Sequence, residues 1–234
     1  MATREASQSK NEELSFNEKL SEFINKNRKS LLIGLIAIFV VLAGFIITSV
    51  VRGKLLSNAL SELDGFSRKY AELKPYISNE DSDDIIKQVE LLVLLEELTA
   101  FQSKNSGFPL ARAYSMSADI FAEQKRWAEA EEAWLNAAIA ASKTYLASIS
   151  FFNAAVASEE QGNIDSAIAH YTKALDSGDN FPSAARAQFS IGRLEESRNN
   201  KDAALEAYGD VLNKWPNDPV WSNLAQSRIL VMSN

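Results

Sequence analysis

Histidine, cysteine and clustered carboxylates are the side chains from which a chain builds a catalytic or metal site, and here none of them is arranged for it. The 234 residues hold one histidine and no cysteine. Thiolate nucleophiles, disulfides, cysteine–zinc sites and a lipid anchor on an N-terminal cysteine are therefore excluded. His170 stands beside Tyr171 in a stretch of helical periodicity and reads as a solvated surface residue. Glu129-Glu131-Glu132 and Asp81-Asp83-Asp84 have neither a histidine partner nor metal-ligand spacing, and read as the charged faces of exposed helices. No glycine-rich phosphate loop and no nucleophile–base pair is present. We assign no catalytic, cofactor-binding or metal-binding residue, and the chain reads as a non-enzyme. A formal net charge of −7 also argues against a nucleic-acid partner.

The elements that could position side chains for recognition show themselves as a repeated spacing. Ala130, Ala167 and Ala204 are 37 residues apart, and so are Trp134, Tyr171 and Tyr208. Ala137, Ala174 and Val211 keep the same period. A small residue, an aromatic four residues on and a small residue three beyond that describe one face of an α-helix. Its recurrence at a fixed period marks a helical repeat array. Nine glycines and five prolines are few, which also favours helix over a turn-rich β fold.

Ahead of the array, residues 31–51 form a run without charge, LLIGLIAIFVVLAGFIITSVV. As a helix it spans about 31 Å, close to the hydrocarbon thickness of a bilayer. A soluble core helix rarely lacks a polar face over that length. The run is too long, and its flanks are wrong, for a cleaved signal peptide. We expect one uncleaved transmembrane helix, Leu31 to Val51, in contact with the lipid bilayer. Lys19, Lys26, Arg28 and Lys29 precede it, against Arg52 and Lys54 after it, which favours a cytoplasmic N-terminus. Residues 52–234 would then lie outside the cytoplasm. From Arg52 onward 18 Lys+Arg face 26 Asp+Glu, a balance suited to a soluble domain held off an anionic bilayer.

Residues 1–14 are polar and read as unordered; Ser15 to Glu18 has the form of a capping box. Phe16, Leu20, Phe23 and Ile24 then share one face of a short juxtamembrane helix. Beyond the span, Leu56, Leu60, Leu63, Phe66, Tyr70 and Leu73 recur at helical spacing until Pro75. Ser78 to Asp84 reads as a loop. A strongly apolar helix follows to about Lys104. Val93 and Ala100 lie 37 residues before Ala130 and Ala137, suggesting a degenerate first repeat with Glu97 in its aromatic slot. Three clearer helix pairs follow: 111–123 with 127–140, 148–160 with 165–176, and 185–197 with 202–214. An amphipathic helix from Val220 to about Val231 would close the open end of the stack. The fold class is thus all-α: one N-terminal transmembrane helix, then an α-solenoid of about three to four helical hairpins and a capping helix.

These positions resemble the tetratricopeptide repeat, with a small residue at positions 8 and 20, an aromatic at 24, Ala at 27 and Pro at 32. QGNIDSAIAHYTKAL (161–175), NNKDAALEAYGDVLNKWPND (199–218) and KRWAEAEEAWLNAA (125–138) carry the resemblance. The whole chain, a short basic segment, one anchor and a repeat domain, is similar to the YfgM family of bacterial inner-membrane proteins. FINKNRKSLLIG (23–34) resembles that family's stretch before its anchor. The resemblance implies a bacterial inner-membrane, single-pass protein with a periplasmic domain. It further implies an accessory subunit of the SecYEG translocon, with translocon subunits, periplasmic chaperones or client chains as partners. A coordinator of envelope assembly or cell division, without client handling, is the alternative.

The tetratricopeptide resemblance also implies a partner groove on the first helices, at repeat positions 2, 5 and 9. Those positions hold Arg112, Ser115 and Asp119, then Ile149, Phe152 and Val156, then Arg186, Phe189 and Arg193. An apolar middle and a basic C-terminal end would suit a segment with hydrophobic anchors; Ile149, Phe152 and Phe189 could equally pack within the array. Repeats that clamp a C-terminal carboxylate carry Lys and Asn where Ser115 and Asp119 stand here, so that mode is not expected.

Overall fold

The computed structural model describes residues 16–77, 85–142, 144–178 and 181–233. The sequence readings of residues 1–14, Ser15 and 78–84, with Asp81-Asp83-Asp84 among them, lie outside the described residues. Among those described, every regular element is a helix. They are α1 (Ala2–Ile77), α2 (Ile85–Lys104), α3 (Gly107–Glu123), α4 (Trp127–Ala140), α5 (Leu146–Glu160), α6 (Ile164–Asp176), α7 (Ala184–Ser197), α8 (Lys201–Lys214) and α9 (Pro219–Ser233). The chain divides into two compact units, Met1–Ser57 and Asn58–Asn234.

The first unit is a stretch of α1. No residue of its most apolar window is buried, and by length and composition it is long and apolar enough to cross a membrane. Thr48 Oγ1 donates to the Gly44 carbonyl at 2.7 Å, so this hydroxyl is satisfied within the helix, as an apolar medium demands. Pro75 does not stop α1, which runs two residues further.

The second unit is built from antiparallel helix pairs: α3 with α4, α5 with α6, α7 with α8, and then α9 against α8. The 37-residue period reaches into the turns. Lys125, Gly162 and Asn199 all have positive φ, at 57°, 74° and 61°. Each is followed by an amide that bonds back five residues: Arg126 to Phe121 at 2.8 Å, Asn163 to Ser158 at 2.9 Å and Asn200 to Glu195 at 2.9 Å. This is the Schellman stop, in which a left-handed residue lets the amide after it cap an orphan helix carbonyl. Glycine and asparagine enter that region at low cost, so two of the three turns carry the residue the geometry favours.

Packing follows the same period. Ala130, Ala167 and Ala204 are fully buried, and Trp134, Tyr171 and Tyr208 are buried beside them. The hairpin of α2 with the part of α1 after Ser57 departs from it. Leu94, Leu98 and Phe101 are buried while Val93 is exposed, so α2 aligns with the later second helices at an offset of 36, not 37. The degenerate repeat is present one residue out of register. Phe66 meets Phe101 edge-on at 5.7 Å, and Lys69 Nζ pairs with Glu97 at 2.6 Å.

Candidate protein-interaction surface

The first helices α3, α5 and α7 present the residues assigned to a groove, and the structure divides that set. Arg112, Arg186 and Arg193 are exposed. Phe152 is buried, with Tyr171 at 5.3 Å and Phe181 at 5.8 Å, so its ring belongs to the core. Ile149 and Val156 are half-buried against the same cluster. Phe189 is half-buried between Tyr208 at 5.2 Å and Trp221 at 5.3 Å. Ser115 turns its hydroxyl onto the Ala111 carbonyl at 3.0 Å. The apolar centre is thus mostly internal packing, and of the exposed arginines Arg193 is already bonded to Glu159. Arg186 pairs with no carboxylate among the described residues, and its guanidinium lies 5.1 Å over the Phe152 ring.

Asp119 faces the neighbouring hairpin. Burial pushes its carboxyl up to about 6, against the lowering pull of Lys74 on α1 and Arg112; Glu123 adds to the rise. Lys74 Nζ itself pairs with Glu123 at 2.8 Å.

A second constellation, not anticipated from sequence, joins successive repeats. Tyr171 donates to Glu159 Oε1 at 2.6 Å, and Glu159 also accepts from Arg193 of the next first helix. One period on, Tyr208 donates to Glu196 Oε2 at 2.9 Å, and Arg228 of α9 bonds the same carboxylate, its Nε at 3.0 Å. The hydrogen bond from Arg228 holds Glu196 below the ordinary carboxylate range against the opposing effect of burial. Burial and the Glu196 contact push the Tyr208 hydroxyl up to about 12. In the first clear repeat the equivalent trio is Trp134, Ala122 and Val156, all apolar. The polar latch is therefore kept or replaced as a set, because one unpaired member in the seam would lose its partner. Two Tyr–Glu pairs, each 12 residues apart and 37 from the other, were the sequence signal.

Around the second latch lies a cavity of ≈ 450 Å³ lined by Phe189, Arg193, Glu196, Ser197, Tyr208 and Arg228. Ring surface of Phe189 and Tyr208 lines it, and its two guanidinium groups are held by Glu159 and Glu196, so what it offers an incoming group is chiefly apolar surface. His170 belongs to neither feature, and its reading as a solvated residue is corrected. It is buried; its Nε2 lies 2.9 Å from Glu131 Oε1 on α4, whose other oxygen accepts from Gln161 at 2.6 Å. The shared carboxylate draws the imidazole into the contact between successive second helices.

A family model described as tetratricopeptide repeat matches residues 95–145 and 152–219, just over half of the chain. The chain belongs to the tetratricopeptide-repeat family. Such repeat domains mediate protein–protein interaction and are typically non-enzymatic scaffolds, so a protein-interaction scaffold is the function class. The chain is 34% identical over 147 residues to a TPR repeat-containing protein of Treponema pallidum (strain Nichols). That match takes in 63% of this chain and spans 60% of the relative's length. Among solved structures the chain is similar to BtubC (BKLC) from P. vanneervenii, at 15% identity and a TM-score of 0.48. That similarity covers 74% of this chain and 82% of the other.

Proposed function

We propose that this repeat protein is a single-pass protein of the bacterial inner membrane, with residues 1–30 in the cytoplasm, 31–51 in the bilayer and 52–234 in the periplasm. There it serves as an accessory subunit of the Sec translocon that connects emerging client chains to periplasmic chaperones. One observation carries the reading: an uncharged helical window with no buried residue shares the chain with a tetratricopeptide-repeat domain. The excess of basic residues before the span supports the orientation, and the resemblance to the YfgM family supports the pathway. Within the domain we assign recognition to the first-helix face near its C-terminal end. Arg186, exposed and paired with no carboxylate among the described residues, fits an acidic residue of a partner segment, and the cavity lined by Phe189 and Tyr208 fits an apolar one.

Two experiments test this. Protease added to intact spheroplasts should remove the repeat domain, and complete protection rejects the outward orientation. A photo-crosslinker in place of exposed Arg186 should trap SecY or nascent secretory chains. Crosslinks only to envelope-assembly or division proteins reject the translocon role and support the coordinator reading. The buried position of Phe152 makes it unsuitable as a crosslinking site.

A further inference from the structure

Ala133, His170 and Ala207 stand 37 residues apart and hold one position in successive second helices. Between α4 and α6 that position is filled, since the His170 imidazole is buried and meets Glu131 at 2.9 Å. Between α6 and α8 the buried Gln188 donates its amide to the Ala207 carbonyl at 3.5 Å. Between α2 and α4 neither device is present. With α2 at an offset of 36, Leu95 takes the place that Glu131 has in the next seam, and Ala133 takes that of His170. Both line a cavity of ≈ 270 Å³ between α2, α3 and α4.

An ordinary packing void is apolar and dry, and this one is not. Gln102 gives its amide nitrogen to the buried Ser117 hydroxyl at 3.0 Å, which leaves its Oε1 without a donor among the described residues. Tyr114 and Asn136 are half-buried on the same cavity, and neither polar end has a partner among the described residues. Polar groups drawn this far from water ordinarily find one. Glu132 supplies charge: it pairs with no cation among the described residues. The site thus offers acceptors and one uncompensated carboxylate, and a guanidinium has five donors, one charge and no acceptor. Phe121 and Glu129, on the same cavity, already hold such a group. The Arg126 guanidinium lies 4.5 Å over the Phe121 ring, and its Nε donates to Glu129 Oε1 at 3.0 Å. Tyr114 and Glu132 are a second ring and a second carboxylate, with no described cation between them.

We propose that the seam between α2 and α4 is a docking site for an arginine side chain carried by a segment of a partner protein. The volume is below the ~300–1,000 Å³ of pockets that enclose a whole small molecule, and suits one long side chain. Free arginine would carry its own carboxylate into a site that already holds two. The inference rests on this cavity alone, apart from the first-helix face and the pathway proposed above.

The absence of cysteine allows a reporter at the site. Thr99→Cys, an exposed position on the cavity wall, is labelled with a trifluoromethyl group in the full-length protein in mild detergent. Fluorine NMR then follows titration with the pentapeptide Ala-Ala-Arg-Ala-Ala, blocked at both ends. A saturable shift is expected, with the uncharged citrulline counterpart at least about ten times weaker, the scale of hydrogen bonds between charged groups. Glu132→Gln should bring the arginine peptide down to the citrulline level. Ala133→His installs the residue that the next seam uses and should abolish the shift. Circular dichroism checks the fold of both variants, and exposed Glu132 keeps the test open where the filled cavity disturbs packing. An arginine peptide without a saturable shift overturns the proposal, as does equal affinity for arginine and citrulline peptides. So does a lysine peptide or free arginine that binds as tightly, or a shift that survives Ala133→His.

Discussion

Two glycines in one hairpin should respond to the same substitution with opposite signs. A Cβ built on Gly192 of α7 would sit 2.7 Å from Cδ1 and from Cε1 of Tyr208. A Cβ on Gly209 of α8 would have nothing within 4 Å. Alanine at a helical glycine position brings a propensity gain of roughly 0.8–1.0 kcal/mol, and Gly209→Ala should stabilise by about that amount. At Gly192 the Tyr208 ring must retreat by about 0.7 Å or more to reach ordinary contact distance. It has no free space for this: the ring is fully buried, lies 5.2 Å from Phe189 and is tied through its hydroxyl to Glu196. Overpacking of this kind costs roughly 1–3 kcal/mol. Gly192→Ala should therefore be destabilising, by about 1 kcal/mol net, or neutral at the mild end. The difference between the two variants isolates the packing cost, because the propensity gain cancels. Urea unfolding of the full-length protein in mild detergent, followed by far-ultraviolet circular dichroism, measures both. A Gly192→Ala protein as stabilised as Gly209→Ala would refute the close approach of α7 to the Tyr208 ring.

Other outcomes follow from the same geometry. Ala167 is fully buried in the seam between α5 and α6; Ala167→Leu should cost roughly 1–3 kcal/mol in the same unfolding assay. Tyr171→Phe removes the donor to Glu159 Oε1 at 2.6 Å and should cost roughly 1.5–3 kcal/mol, the scale of a hydrogen bond to a charged group. An unchanged midpoint would mean that Arg193 alone satisfies that carboxylate. Asp119 gives a pH dependence. Its folded carboxyl lies at about 6, above the ordinary 3.8, so the folded state holds the extra proton in that window. Asp119 should make stability fall as pH rises from about 4 to about 6, with no further change from this group above that. Asp119→Asn should flatten that segment of a melting-temperature profile and raise the melting temperature at pH 7. A wild-type segment that rises more steeply with pH than the variant's refutes the assignment.

Much of the fold was legible because the array repeats itself. Small residues at 130, 167 and 204 and aromatics at 134, 171 and 208 fix the helix faces, since only small side chains let paired helices touch. The second helices accordingly begin and end within a residue of the sequence-derived bounds. The turn at Gly162 was readable for the same local reason: glycine suits the left-handed residue of a helix stop. His170 was misread because a wheel of α6 alone cannot show that Glu131, 39 residues earlier, lies across from it.

What the sequence determined by itself was everything carried by local periodicity: helices, their hairpins, the uncharged span and the class of a protein-binding repeat. Tertiary structure alone decided which of those side chains remain free to bind. It withdrew Phe152 into the core and left Arg186 in solvent. It shifted α2 by one residue against the 37-residue period and left Ile85, Ile86, Val89, Leu92 and Val93 uncovered. The physical reason is that helix formation depends on neighbours a few positions away. Burial depends on the helix that arrives from elsewhere in the chain, and for α2 a core forms on one side only.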